Sequence, residues 1–155
     1  VLERGIRRGY FLGDMASPDR RLFVYGTLLK GEPGHSVLEG SESLGTAQTE
    51  PAFQLVDLGP FAALIPEGTT SVAGELYRVA MATVLRIDVL RQVPILFDRA
   101  RIRLADGSEA DAYVMTRDQV RGRRTVHGGD WRKRFSDQAR PVDSPFARWS
   151  RNRPR

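Results

Sequence analysis

The sequence predicts a single α+β domain, and three observations carry that expectation. Six short apolar segments, each bounded by Gly, Pro or charged residues, have the pattern of strands. Only residues 81–92 place apolar side chains at helical spacing for long enough to form a substantial helix. At 155 residues, with 41% apolar and 28% charged side chains, the chain has material for one proper core and no room for two ordinary domains.

The first strand is residues 22–25, Leu22-Phe23-Val24-Tyr25, a continuous apolar run expected at the centre of a sheet. Gly26, Gly31, Pro33 and Gly34 then mark an irregular loop, with a short helical turn at 35–39. Further strands are expected at 52–58, 62–65 and 72–79, separated by turns at Gly59-Pro60 and Glu67-Gly68. The segments 97–104 and 109–115 bracket Asp106-Gly107, a hairpin signal of the type I′ kind, which needs two residues at positive φ. The helix over 81–92 stops before Pro94, as helices tend to do. At 100° per residue Val84, Ile87, Asp88 and Arg91 share one stripe, Leu85, Val89 and Leu90 cover much of the remainder, and Arg86 is left on the outer face. A helix so apolar is expected to pack deeply on the sheet, with Arg91 pointing towards the core or a cavity. Residues 1–20 read as an N-terminal extension with Met15 as the expected natural start, 21–135 as the domain, and 136–155 as a disordered tail with three prolines and five arginines.

Composition excludes several classes of function. Without cysteine there is no disulfide framework, thiol nucleophile or thiolate metal site. No apolar run approaches the roughly 18 residues of a membrane span, and the expected location is the cytoplasm. His35 and His127 are the only histidines and lie far apart, so no metal site is expected. Ser36 and Ser71 lack the strand-turn-helix elbow of a serine hydrolase. Charge is uneven: residues 1–116 hold 12 basic and 15 acidic side chains, residues 117–155 hold 12 and 4. Such a tail, with Trp149 among its arginines, reads either as a solvated extension or as a surface that attracts nucleic acid or an acidic partner.

The loop after the first strand carries the most specific chemistry. Tyr25-Gly26-Thr27-Leu28 leaves a buried strand and turns sharply, so that successive N–H groups converge into an anion-binding nest. Such a nest holds a carboxylate or stabilises a developing oxyanion without a charged side chain. A plain tight turn is the alternative.

Val24-Tyr25-Gly26-Thr27-Leu28, followed by Gly31, Pro33 and His35, resembles the signature of the γ-glutamyl cyclotransferases, most closely the γ-glutamylamine cyclotransferase branch. Further matches follow in order: residues 59–66, Val72-Ala73-Gly74-Glu75-Leu76-Tyr77, and the closing Gly129-Asp130-Trp131-Arg132. The resemblance spans about residues 21–135. It implies a small mixed β-barrel-like sheet with one main helix packed on it and a cavity at the mouth of the first loop. It also implies a packing role for His35 and for Trp131. The implied reaction is intramolecular: the α-amine of a γ-glutamyl amine or peptide attacks its own γ-carbonyl, expels an amine and leaves 5-oxoproline. No metal or cofactor is implied. Tyr25, Gly26, Thr27, Leu28 and the position of Phe97 are implied to bind the substrate.

Two positions depart from the family pattern. Ile87-Asp88-Val89-Leu90-Arg91 lies where the family carries Leu-Asp-x-x-Glu, and Phe97-Asp98-Arg99 where it carries Tyr-x-Arg. Arg91 therefore stands at the position of the proton-moving glutamate, and arginine, with a pKa above about 12, cannot serve as a general acid or base. Asp88, three residues away, is the expected ion-pair partner of Arg91; Asp98 and Glu75 are the other carboxylates near these segments. Three alternatives stay open: a cyclotransferase altered by Arg91, a non-catalytic protein that holds a small acidic metabolite through Arg91 and residues 25–28, and an interaction module docked by its basic tail.

Overall fold

The computed structural model describes residues 6–8 and 19–139, so the expected start at Met15 and nearly all of the basic tail lie outside the described residues. The strands are β1 (Ile6–Arg8), β2 (Asp19–Val24), β3 (Glu42–Gln48), β4 (Phe53–Asp57), β5 (Ala62–Thr70), β6 (Ala73–Ala80), β7 (Asp98–Arg103), β8 (Glu109–Val114) and β9 (Arg124–Thr125). Helix α1 (Met81–Leu90) is the main helix and α2 (Arg134–Ala139) a short closing one. Hydrogen-bonded neighbours run β3-β6-β2-β8-β5-β4-β9, and β7 pairs with both β8 and β1.

The sheet is mixed: β2 and β5 each run parallel to β8, whereas the other ladders are antiparallel. It curls without closing into a barrel. Between β7 and β3 the contact shrinks to the Thr49–Leu104 bridge, with hydrogen bonds from Ala105 N to Gln48 O and from Glu50 N to Arg103 O. The continuous apolar run of β2 is explained by its position between β6 and β8, since both of its faces are covered. Phe23 and Tyr25 enter a cluster with Leu64, Leu76, Ile102 and Trp131. Leu22 and Val24 point the other way, to Val84 and Ile87 of α1.

Three expectations need correction, and one strand, β3, was not expected. Helix α1 is not deeply buried: Thr83, Val84 and Ile87 are, but Leu85, Val89 and Leu90 are exposed, because only one stripe reaches the sheet. Strand β3 carries no alternation in sequence because it lies at the edge and has a register break between Ser43 and Gly45. The β7–β8 turn is not type I′; Gly107 alone is at positive φ, 86°, in a longer loop closed by Leu104 N to Ser108 O. The expected turn at Glu67-Gly68 lies within β5, where residues between Ile65 and Thr70 bulge out of the β4 ladder.

Helix α1 ends earlier than its apolar pattern. Arg91 is the C-cap and Gln92 takes φ 53°, a left-handed conformation in which Val93 N reaches back to Asp88 O at 3.0 Å. Glycine is the residue that closes helices this way without a Cβ penalty. Gln92→Gly is therefore expected to raise stability by about 0.5–1 kcal/mol, the relief of the left-handed strain less glycine's extra chain entropy. A urea midpoint at or below that of the wild type would contradict this.

Candidate functional site

The loop after β2 is fixed by steric and hydrogen-bonding demands that its sequence meets. Gly26 has φ 63°, and a Cβ there would stand 2.7 Å from the Cβ of Ala62, so only glycine fits. A 3-10 turn, Gly26–Leu28, follows, with Leu28 N donating to Tyr25 O at 3.3 Å and Leu29 N to Gly26 O at 3.2 Å. The amides that open such a turn, those of Gly26 and Thr27, have no carbonyl partner within it. Thr27 O accepts from Gly34 N at 2.8 Å, and Leu28 O lies 2.9 Å from Nδ1 of His35. A carbonyl only accepts, so Nδ1 carries the proton; His35 pins the loop and packs its ring 5.7 Å from that of Tyr77.

Tyr25 is turned away from solvent. Its hydroxyl donates to Tyr113 O at 2.5 Å and accepts from Leu64 N at 3.0 Å, filling the gap where β2 and β5 part along the edge of β8. Burial pushes its pKa well above the usual tyrosine range. The side chain thus joins three strands.

Thr27, Phe97 and Arg91 do come together. From the end of α1, half-buried Arg91 reaches the loop with Nη2 3.4 Å from Thr27 Oγ1. Its guanidinium carbon lies 5.7 Å from the ring centroids of both Phe61 and Phe97, which are tilted 55° to one another with centroids 5.9 Å apart. Among the described residues Arg91 has no ion pair. Phe61 was not singled out in the sequence. Its signal there is its place in the segment 59–66 that resembles the family pattern, directly after the Gly59-Pro60 turn.

The expected Asp88–Arg91 pair is not formed. Asp88 accepts from the Tyr113 hydroxyl at 2.7 Å and lies 3.2 Å from Arg99 Nε, because its rotamer points under the helix to the sheet rather than along it to the next turn. Arg99 and Arg101 in turn approach Asp111 at 3.9 and 3.6 Å. Burial raises the Asp88 pKa and outweighs the opposing hydrogen bond from Tyr113, even with Arg99 alongside. The folded state then holds a proton over a pH window in which the unfolded state has lost it. The contribution of Asp88 to stability is expected to be greatest at low pH and to fall as pH rises from the ordinary aspartate range through the raised value. Asparagine cannot titrate, so the stability difference between wild type and Asp88→Asn, followed by urea midpoints from acid to neutral pH, should shrink along that rise. A difference that widens instead would contradict the assignment.

Glu75 lies behind the same loop. Its Oε1 accepts from Lys30 N and from the Tyr77 hydroxyl, both at 2.9 Å, and its Oε2 is 3.6 Å from Arg132 Nη2. Burial first, and then the bond to Glu75, pushes Tyr77 up to about 12. A cavity of about 720 Å³ opens on this side, walled by Leu29, Leu44, Leu76 and Leu104 with Glu75 and Arg132. It borders the loop only through Leu29 and does not include Arg91. Asp98 opens β7. Trp131 is buried in the inner cluster beneath the guanidinium of Arg134, 4.0 Å from its ring centroid.

A glycine-turned loop after a central strand, facing the end of a helix packed on an open mixed sheet, defines a class that comparison with known proteins identifies. The family model described as "Gamma-glutamyl cyclotransferase, AIG2-like" matches residues 22–133. A family relative from Vibrio cholerae serotype O1 is 38% identical over 113 residues, which cover 73% of this chain and 96% of the relative. Gamma-glutamylaminecyclotransferase C of Danio rerio is 33% identical over 92 residues, 54% of this chain and 60% of that protein. Among solved structures, c4763, a uropathogenic E. coli-specific protein, superimposes with a TM-score of 0.68 at 25% identity, covering 77% of this chain and 98% of that one. The chain belongs to the γ-glutamyl cyclotransferase, AIG2-like family. No helix of the described residues is long and apolar enough to cross a membrane.

Proposed function

We propose that this domain binds a small carboxylate-bearing metabolite of the γ-glutamyl type between Arg91 and the Tyr25–Leu28 loop, and that it holds this acid without cyclising it. The observation that carries the reading is Arg91 itself: a guanidinium beside Thr27 and two phenyl rings, with no ion pair among the described residues. A guanidinium offers a planar fork of donors to a carboxylate. The opening amides of the 3-10 turn supply further donors for the same anion.

The same geometry works against cyclisation. That reaction needs the substrate ammonium to lose a proton, and a guanidinium both repels the ammonium and lacks a lone pair to accept the proton. The nearby carboxylates are engaged elsewhere, Asp88 with Tyr113 and Arg99, Glu75 with Lys30 N, Tyr77 and Arg132. The family's fold does not by itself carry its chemistry, because chemistry depends on the residues in the site.

Calorimetric titration with glutarate, 5-oxoproline and the uncharged glutaramide tests the reading. Both acids should bind and glutaramide should not. Equal binding of glutaramide and glutarate would overturn it.

A further inference from the structure

The loop that faces Arg91 is held from behind by groups more than 40 and 100 residues away in sequence. Arg132 Nη2 donates to the carbonyl of Lys30, its Nε lies 3.8 Å from Glu32 Oε1, and Nη2 lies 3.6 Å from Glu75 Oε2. Glu75 completes the grip by accepting from Lys30 N at 2.9 Å. One residue of the loop, Lys30, is therefore held by its N–H from Glu75 and by its C=O from Arg132. Glu75 has a rigid base: it lies on β6, which is hydrogen-bonded on both edges, and its side chain is 13% exposed.

Arg132 also has a fixed base. The 3-10 turn Trp131–Lys133 is capped by Asp130 Oδ1, which accepts from Arg132 N at 3.1 Å. Trp131 anchors that turn in the inner cluster. Gly129 lets the segment approach β6 closely; a Cβ there would stand 2.5 Å from Ser71 O, and Ala73 N donates to Gly129 O at 2.9 Å. The other ties of residues 27–35 are short-range backbone bonds, the His35–Leu28 contact, the His35 ring against that of Tyr77, and the approach of Arg91 to the Thr27 hydroxyl.

We propose that Arg132 and Glu75 form a clamp that positions the Gly26–Gly34 loop, so that its opening amides and Thr27 stay aimed at the acid held by Arg91. Both are positioning residues, acting through Lys30 and not on the ligand. Only the ligand half of the inference rests on the proposed function, since the clamp itself is a statement about the loop. Charge-assisted bonds of this kind contribute enough to change a local opening equilibrium by about tenfold or more.

Amide hydrogen exchange on the full chain tests the clamp with no ligand present. In Arg132→Ala and in Glu75→Ala, which removes the acceptor of Lys30 N, exchange at Leu29, Glu32 and Gly34 is expected to quicken about tenfold, with Leu64 and Met115 in the core unchanged. A general loss of stability would move loop and core together, and that result, or an unchanged loop, would overturn the proposal. In parallel glutarate titrations each variant should bind about tenfold more weakly than wild type, and the double variant no more weakly than the worse single. Unaltered affinity in both variants would break the link to the site. If wild type itself does not bind glutarate, the proposed function fails, and exchange still decides whether the clamp exists.

Discussion

Replacing Tyr25 with phenylalanine is expected to lower the stability of the domain by about 3 kcal/mol, the cost of stranding two buried backbone groups. The phenyl ring left by that substitution would still pack against Phe23, whose centroid lies 6.3 Å from that of the native tyrosine, so the loss isolates the hydroxyl. Without that hydroxyl the N–H of Leu64 and the carbonyl of Tyr113 lose their partner in an interior that water does not reach. The damage should concentrate where β2, β5 and β8 meet. Chemical denaturation checks it: a lower midpoint at unchanged slope is the expected outcome. Stability within about 0.5 kcal/mol of wild type, the ordinary scatter of surface substitutions, would mean that the hydroxyl is not the joint between these strands.

The second large effect concerns chemistry. Arg91→Glu puts a carboxylate opposite the 3-10 turn, where it can take a proton from a substrate amine and return it to the departing one. General acid–base assistance is worth roughly 10²–10⁴ in rate. Release of 5-oxoproline from a panel of γ-glutamyl amines and peptides should thus rise by about that factor over wild type, while binding of glutarate weakens through the reversal of charge. Wild-type release equal to or above that of Arg91→Glu would mean that another group moves the proton.

Both variants change residues that stood out in the sequence, yet the sequence conveyed their roles unequally. The continuous apolar run at 22–25, the helix before Pro94 and the hairpin around Gly107 were legible because each is a local pattern. Strand β3 was not, because an edge strand with a bulge need not alternate. The outer face of α1 was misread because an apolar side chain reads the same whether a partner covers it or not; Leu85, Val89 and Leu90 are exposed. Of the candidate site, Arg91, Thr27 and Phe97, which the structure brings together, were marked by motif and position. Tyr25 shows the limit of that approach: its place in the motif does not reveal that its hydroxyl turns inward to the backbone of Leu64 and Tyr113. The Asp88–Arg91 pair failed for a similar reason, since spacing on a helix does not include the sheet residues Arg99 and Tyr113 that compete for the carboxylate. Phe61 and the hold of Arg132 on Lys30 depend on contacts across 30 and 102 residues, which no local pattern records.

The most direct measurement of the central claim is calorimetric titration of glutarate into wild type and Arg91→Ala under identical salt and pH. Wild type is expected to bind saturably, and removing the guanidinium to cost about 10- to 100-fold in affinity, the scale of a charge-assisted hydrogen bond. Equal affinity in the two proteins would contradict it, because the acid would then be held by something other than Arg91.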